Sequence, residues 1–257
     1  MEFIKANYLD TTTLLTVGSG TDTTKYLFDT NTDLQYLTSN FNDDNTTASM
    51  TISFNSTLAV DRISLKNHNL KSFDIYYNGA TANTFNFTNQ TTVSQWTTNS
   101  ETSLYLYASS PVNCTSVTID MKSTIVADNE KAIGFLYITE LDQTFSRIPS
   151  ATNYSPIFSP MQIKHKLSDG GIRTHTVSQK FKAKIKLKYI TETFRDNLKT
   201  LYDRFEPFGF VPFETGTGWD GFLQQVLWTG SFDFYKHADN AESTGFNGSI
   251  NLEETPS

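Results

Sequence analysis

Apolar residues recur at every second position through much of the first half of the chain. Met50, Ile52 and Phe54 alternate with Thr51 and Ser53. Phe73, Ile75 and Tyr77 alternate with Asp74 and Tyr76, and the run stops at Asn78-Gly79. Phe85 and Phe87 follow, then Leu104 and Leu106, then Val117, Ile119 and Met121. A side-chain period of two buries one face and wets the other, so residues 1–145 are expected to form short antiparallel strands in a sandwich or barrel. Lys131 to Ile138 is apolar on both faces and is expected to be a central strand.

The pattern changes near residue 150. Between Phe145 and Met161 stand Pro149, Pro156 and Pro160, and proline disfavours both helix and ladder. Residues 146–162 are therefore expected to be a linker or extended arm. Beyond it, Lys180 to Tyr189 alternates strictly and predicts a strand. Phe194, Leu198, Leu201 and Phe205 then fall on one helical stripe, which predicts a helix over about 193–206, capped by Thr193 and ended by Glu206-Pro207. Strands resume over 208–213, 222–228 and 231–235, with a last one near Phe246 to Leu252. The expected fold class is mainly β: a β-sandwich over 1–145, then a smaller β-sandwich with one packed α-helix over 163–257.

Composition narrows the function classes. The 257 residues carry 14% aromatics and only 18% charged residues, which excludes a disordered chain. The net charge of −7 argues against a general nucleic-acid binder. All of it lies in residues 1–150, while 151–257 is neutral overall, as two modules in different surroundings would be. The single Cys114 excludes an internal disulfide, and no Cys/His cluster suits structural zinc. No apolar run is long enough for a membrane helix, so membrane insertion is not expected. The first residues lack the basic and apolar regions of a signal peptide, which points to synthesis in a cytoplasm. No nucleophile elbow, H-E-x-x-H or phosphate loop is present, and the chain is not expected to be an enzyme.

The segments Phe28 to Tyr36, Val60 to Leu65, Lys71 to Tyr77 and Glu140-Leu141 follow one another in an order that resembles the discoidin, or F5/8 type C, family, over residues from about Tyr26 to Leu141. The segment Phe28 to Tyr36 stands where that family has "D-x-x-x-x-T-x-W", with Tyr36 in the Trp position. Val60-Asp61-Arg62-Ile63-Ser64-Leu65 matches "V-x-x-I-x-L", and Lys71 to Tyr77 matches "K-x-F-x-I-x-Y". Glu140-Leu141 matches the closing "E-L/I". The resemblance implies a jelly-roll sandwich whose loops bind glycans, proteins or lipid head groups, and the fold alone does not choose among them. The second half looks like the sandwich-plus-helix modules of bacteriophage tail and baseplate proteins, by element order. Together they imply a virion structural protein, a homo-oligomer joined to other tail proteins and possessing a surface for host glycan. A stand-alone carbohydrate-binding or adhesion module is the alternative. Nucleic acid would enter only as DNA passing a tail channel.

Three sets of residues are candidates for binding. Tyr36, Phe41, Arg62, His68, Asn69 and Tyr76 combine aromatic faces with polar partners, as sugar rings require; Trp96 could join them or be buried. Asp29, Asn31 and Asp33 present oxygens at alternate positions as a calcium loop does, although an Asx-rich turn has the same look. No other cofactor is expected. Lys180, Lys182, Lys184, Lys186 and Lys188 line one face of one strand, either as a solvated edge guard or as a basic surface for an acidic partner.

Overall fold

The computed structural model describes residues 1–9, 13–18, 20–28, 34–79, 83–88, 95–96, 99–145, 154–166, 171–212, 223–237 and 245–255. In chain order it opens with β1 (Glu2–Ile4), β2 (Leu14–Val17), a 3-10 helix (Thr21–Phe28), β3 (Tyr36–Leu37), β4 (Ala48–Lys66) and β5 (Leu70–Tyr77). Next come β6 (Gln95–Trp96), β7 (Ser103–Thr124), β8 (Ala132–Ile133), β9 (Phe135–Thr139) and β10 (Leu141–Thr144). The remainder is β11 (Tyr154–Lys166), β12 (Ile172–Ile190), α1 (Glu192–Asp203), β13 (Phe208–Val211), β14 (Gln224–Lys236) and β15 (Phe246–Glu254). The protein is mainly β, and every described strand pairing is antiparallel. Among the described residues no helix is long and apolar enough to cross a membrane.

The chain folds as two compact units, and their boundary differs from the one the sequence suggests. Unit 1 takes Met1–Thr144 and also Gly209–Leu223, while unit 2 takes Phe145–Phe208 and Gln224–Pro256. Composition reveals the change near residue 145, but the return of a short segment from late in the chain leaves no local signal.

In unit 1 the main sheet runs β2-β4-β7-β5-β6, with β9 added to β4. The alternation seen in the sequence builds its buried face directly. Met50 pairs with Ile119 and Ile119 with Ile75, so one apolar row crosses three strands. Segments that read as separate strands prove continuous. Residues 50–54 and 60–65 belong to the 19-residue β4, and Leu104 to Met121 lies in the 22-residue β7. Irregular register at Ser53/Leu58 and Val60/Arg62 divides the β4–β7 ladder. Such bulges let one strand bend and serve two stretches of core. A second ladder sets β1 between β10 and β13, and Ile4, Tyr105, Phe135, Tyr137, Val211 and Leu223 close around each other.

Unit 2 is an antiparallel ladder, β14-β15-β12-β11, with the helix α1. The strand read over 180–189 is the second half of β12, and its alternation is realised: Phe181, Ala183, Ile185 and Leu187 are buried while Lys182, Lys184, Lys186 and Lys188 are exposed. Part of the expected linker is strand. β11 runs through Pro156 and Pro160, paired in the described ladders only with β12. A strand at a sheet's edge can place prolines where no ladder donor is needed, which is the physical reason for the departure. The helix is also displaced. It starts at Glu192, with Thr191 rather than Thr193 as cap, its hydroxyl accepting from the Phe194 N–H at 3.2 Å, and it ends before Glu206-Pro207. Leu198 and Leu201 are its buried residues. β14 carries Gly230 at φ +84°, beside a register shift between Thr229 and Asp233. That positive φ suits glycine, and it lets two expected strands be one.

Candidate functional site

One end of unit 1 gathers the loops 34–47, 67–69 and 124–131, and two adjacent charged residues tie them together. The Glu130 carboxylate accepts from the Thr38 hydroxyl at 2.8 Å and from the Asn40 and Phe41 N–H groups at 2.9 and 3.3 Å. Burial works against its charge, but these donors and Lys131 outweigh it and hold its pKa below the usual carboxylate range. Lys131 is fully buried, and its ammonium donates to the Phe41 and Asp43 carbonyls at 2.6 and 3.1 Å. The Asp44 carboxylate accepts from the Thr124 N–H and hydroxyl at 3.0 and 3.1 Å, and Asp128 accepts from the Asp44 N–H at 3.2 Å. A charged group at the hub of several donors makes stronger bonds than neutral pairs do.

On this fixed base the rim is polar and exposed. Asn40, Asn67 and Asp128 have φ of 66°, 48° and 59°. Asn and Asp tolerate this left-handed region better than other non-glycine residues, so the rim's composition follows from its turns. Asn42 and Asn129 are exposed, and their side-chain amides have no partner among the described residues. Leu37 and Val126 add apolar surface at 42% and 67% exposure. Free amides on a held backbone, with small apolar patches beside them, can recognise a hydroxyl-rich ligand without ordering the loops first.

The six residues expected to bind sugar are mostly structural. Tyr36 is fully buried, and burial pushes its pKa up to about 12, so its ring cannot stack on a ligand. Phe41 is half-buried and packs against the core. His68 is buried; its Nδ1 accepts from the Leu70 N–H at 3.1 Å. Asn69 is a brace: its amide donates to the Glu130 carbonyl at 2.7 Å and its oxygen accepts from the Ala132 N–H at 2.9 Å. Tyr36, Phe41, His68 and Asn69 do converge on this end, but beneath the rim.

Arg62 is not a loop residue. It sits within β4, buried, forking onto the Glu2 carboxylate at 3.0 and 3.1 Å and donating to the Asp61 and Ala108 carbonyls. Burial opposes its charge, and the bonds to Glu2 overcome that and hold its pKa above the ordinary arginine value. The Tyr105 hydroxyl completes the pair, donating to Glu2 at 2.6 Å. Tyr76 lies on the wet face of the main sheet, its hydroxyl donating to Asp120 at 3.1 Å, which also accepts from Ser49 at 2.6 Å. Burial, then the Asp120 charge, push its pKa up to about 12.

Asp29, Asn31 and Asp33 lie outside the described residues, as does the side chain of Trp96. Among the described residues no group of three or more His, Cys, Asp or Glu could hold a metal. Of the five lysines, Lys180 and Lys182 are paired with Glu253 at 2.8 and 3.3 Å, while Lys184, Lys186 and Lys188 have no ion pair among the described residues. In the sequence, Lys131 reads only as the first residue of a central strand, which the structure divides into β8 and β9, and Glu130 is passed over. Two charges at its start look like a solvated boundary.

No protein-family model and no curated protein matches the sequence. Solved structures that align with about half of the chain include chitosan-binding module 1 of a chitosanase/glucanase from Paenibacillus sp. IK-5. It is 15% identical with TM-score 0.41, over 52% of this chain and 98% of that one. A family 32 CBM from C. perfringens NanJ, in complex with galactose, is 14% identical with TM-score 0.40, over 53% and 100%. An F5/8 type C domain from Bacteroides fragilis is 13% identical with TM-score 0.38, over 53% and 97%.

Proposed function

We propose that unit 1 is a non-catalytic glycan-binding module that uses the rim of loops 34–47, 67–69 and 124–131. The carrying observation is the pair of exposed amides, Asn42 and Asn129, without a partner among the described residues, on loops held by Glu130, Lys131 and Asp44. The sequence resemblance to discoidin domains supports the same reading. Binding sugar then needs little loop ordering, because Glu130 and Lys131 already hold the loops. The test is a glycan array with the full chain, followed by titration of any hit. N42A/N129A should weaken binding roughly tenfold, as expected for losing hydrogen bonds worth about 1.4 kcal/mol together. Unchanged affinity in that variant, or no neutral glycan bound at all, would remove the proposal.

A tail-subunit role, with virion localisation and homo-oligomeric or tail-protein partners, is a second proposal. It is favoured by the regular lysine face of β12. Mass measurement and electron microscopy test it, and a strict monomer that joins no larger assembly counts against it.

A further inference from the structure

On the open face of unit 2, three strands surround a groove of about 270 Å³ lined by Lys184, Lys186, Lys188, Asp233, Tyr235, Asn247 and Ser249. Register explains the grouping. Ser249 pairs with Lys186 on one side and Asp233 on the other, and Asn247 pairs with Tyr235. Paired residues of adjacent antiparallel strands share a face, so the lysines, the hydroxyl, the carboxylate and the phenol all look outward together. The lysines repeat every second residue, about 6.8 Å apart along β12.

The groove has a mixed chemistry that restricts its ligand. Three ammoniums without ion pairs among the described residues face one carboxylate, which leaves an excess of positive charge. Tyr235 is 61% exposed, and its ring meets no other ring among the described residues. Asp233 repels any anion, but a DNA phosphate backbone offers it only acceptor oxygens and no hydroxyl to bond. An acidic sugar uses every group: its carboxylate meets the ammoniums, its hydroxyls meet Asp233, Ser249 and Asn247, and its C–H face lies on Tyr235.

We infer that this groove binds a uronic-acid polysaccharide, a second glycan site in a different unit from the rim and of different charge preference. The experiment is calorimetric titration of the full chain with polygalacturonate fragments at low and high salt. Binding should weaken as salt rises. K186Q/K188Q and Y235A should each lower affinity by at least about tenfold, with circular dichroism and thermal midpoint unchanged because these side chains are exposed. N42A/N129A should leave this binding untouched, which separates it from the rim reading. Absence of binding by the wild-type chain overturns the inference. So does equal binding of single-stranded DNA with no effect of Y235A, the behaviour of a nonspecific basic face. Loss of self-association in K186Q/K188Q with sugar binding intact would assign the lysines to a second copy of the chain and overturn it as well.

Discussion

A buried imidazole stands in the 67–69 loop beneath the rim, and its protonation is coupled to folding. Among the described residues His68 Nε2 has no hydrogen-bond partner, the ring packs edge-on to Phe73, and burial holds its pKa at about 4, below the ordinary 6.5. Above pH 6.5 the ring is neutral whether folded or unfolded, so its contribution is complete. Between pH 6.5 and about 4 the unfolded chain takes up a proton that the folded chain refuses, and stability falls. Below about 4 both states are protonated and the loss stops growing. The full difference amounts to about 3 kcal/mol at most. Urea unfolding between pH 7 and 4 should therefore show a steeper decline for the wild type than for His68→Asn. Asp43, Glu130 and Glu253, whose pKa values lie below the usual carboxylate range, lose stability in both proteins and cancel from the comparison. Parallel curves would mean that His68 is solvated rather than enclosed.

At the scale of elements, α1 offers the cleanest test of local reasoning. Thr191→Ala removes the hydroxyl that accepts from the Phe194 N–H and should cost about 1 kcal/mol, read from the unfolding of unit 2. An unchanged midpoint would show that water caps the helix equally well. The helix also marks what a sequence can and cannot disclose. The stripe of Leu198 and Leu201 was visible because helical period is a property of neighbours. The exact cap was not, because Thr191 and Thr193 are both able to serve and only the entry from β12 decides. The same division runs through β12, whose buried and exposed positions follow from alternation alone. It runs through β11 too, where prolines suggest a linker and edge position overrules them. Arg62 and Tyr36 were visible as polar and aromatic residues in promising motifs. Their burial depends on Glu2, some sixty positions away, and on the β3–β8 pairing. No local pattern announces partners at such separations.

For the whole molecule the governing fact is that unit 1 is not one continuous stretch of chain. β13 pairs with β1, Glu2 facing Val211 and Ile4 facing Gly209, and Val211 and Leu223 complete a buried cluster with Tyr105 and Tyr137. A fragment ending at residue 145 should consequently be less stable than unit 1 in the full chain, and prone to associate through the bared edge of β1. Sedimentation and thermal unfolding of the 1–145 fragment check this, and a stable monomer would show that β13 is dispensable. The same arrangement has a consequence for synthesis on the ribosome. The first 144 residues emerge with one place in their fold vacant, and it is filled only after the segment that ends at Leu223 has followed several seconds later. During that interval the nascent chain carries an unfinished edge, so its yield should depend on translation speed and on chaperones that cover such edges.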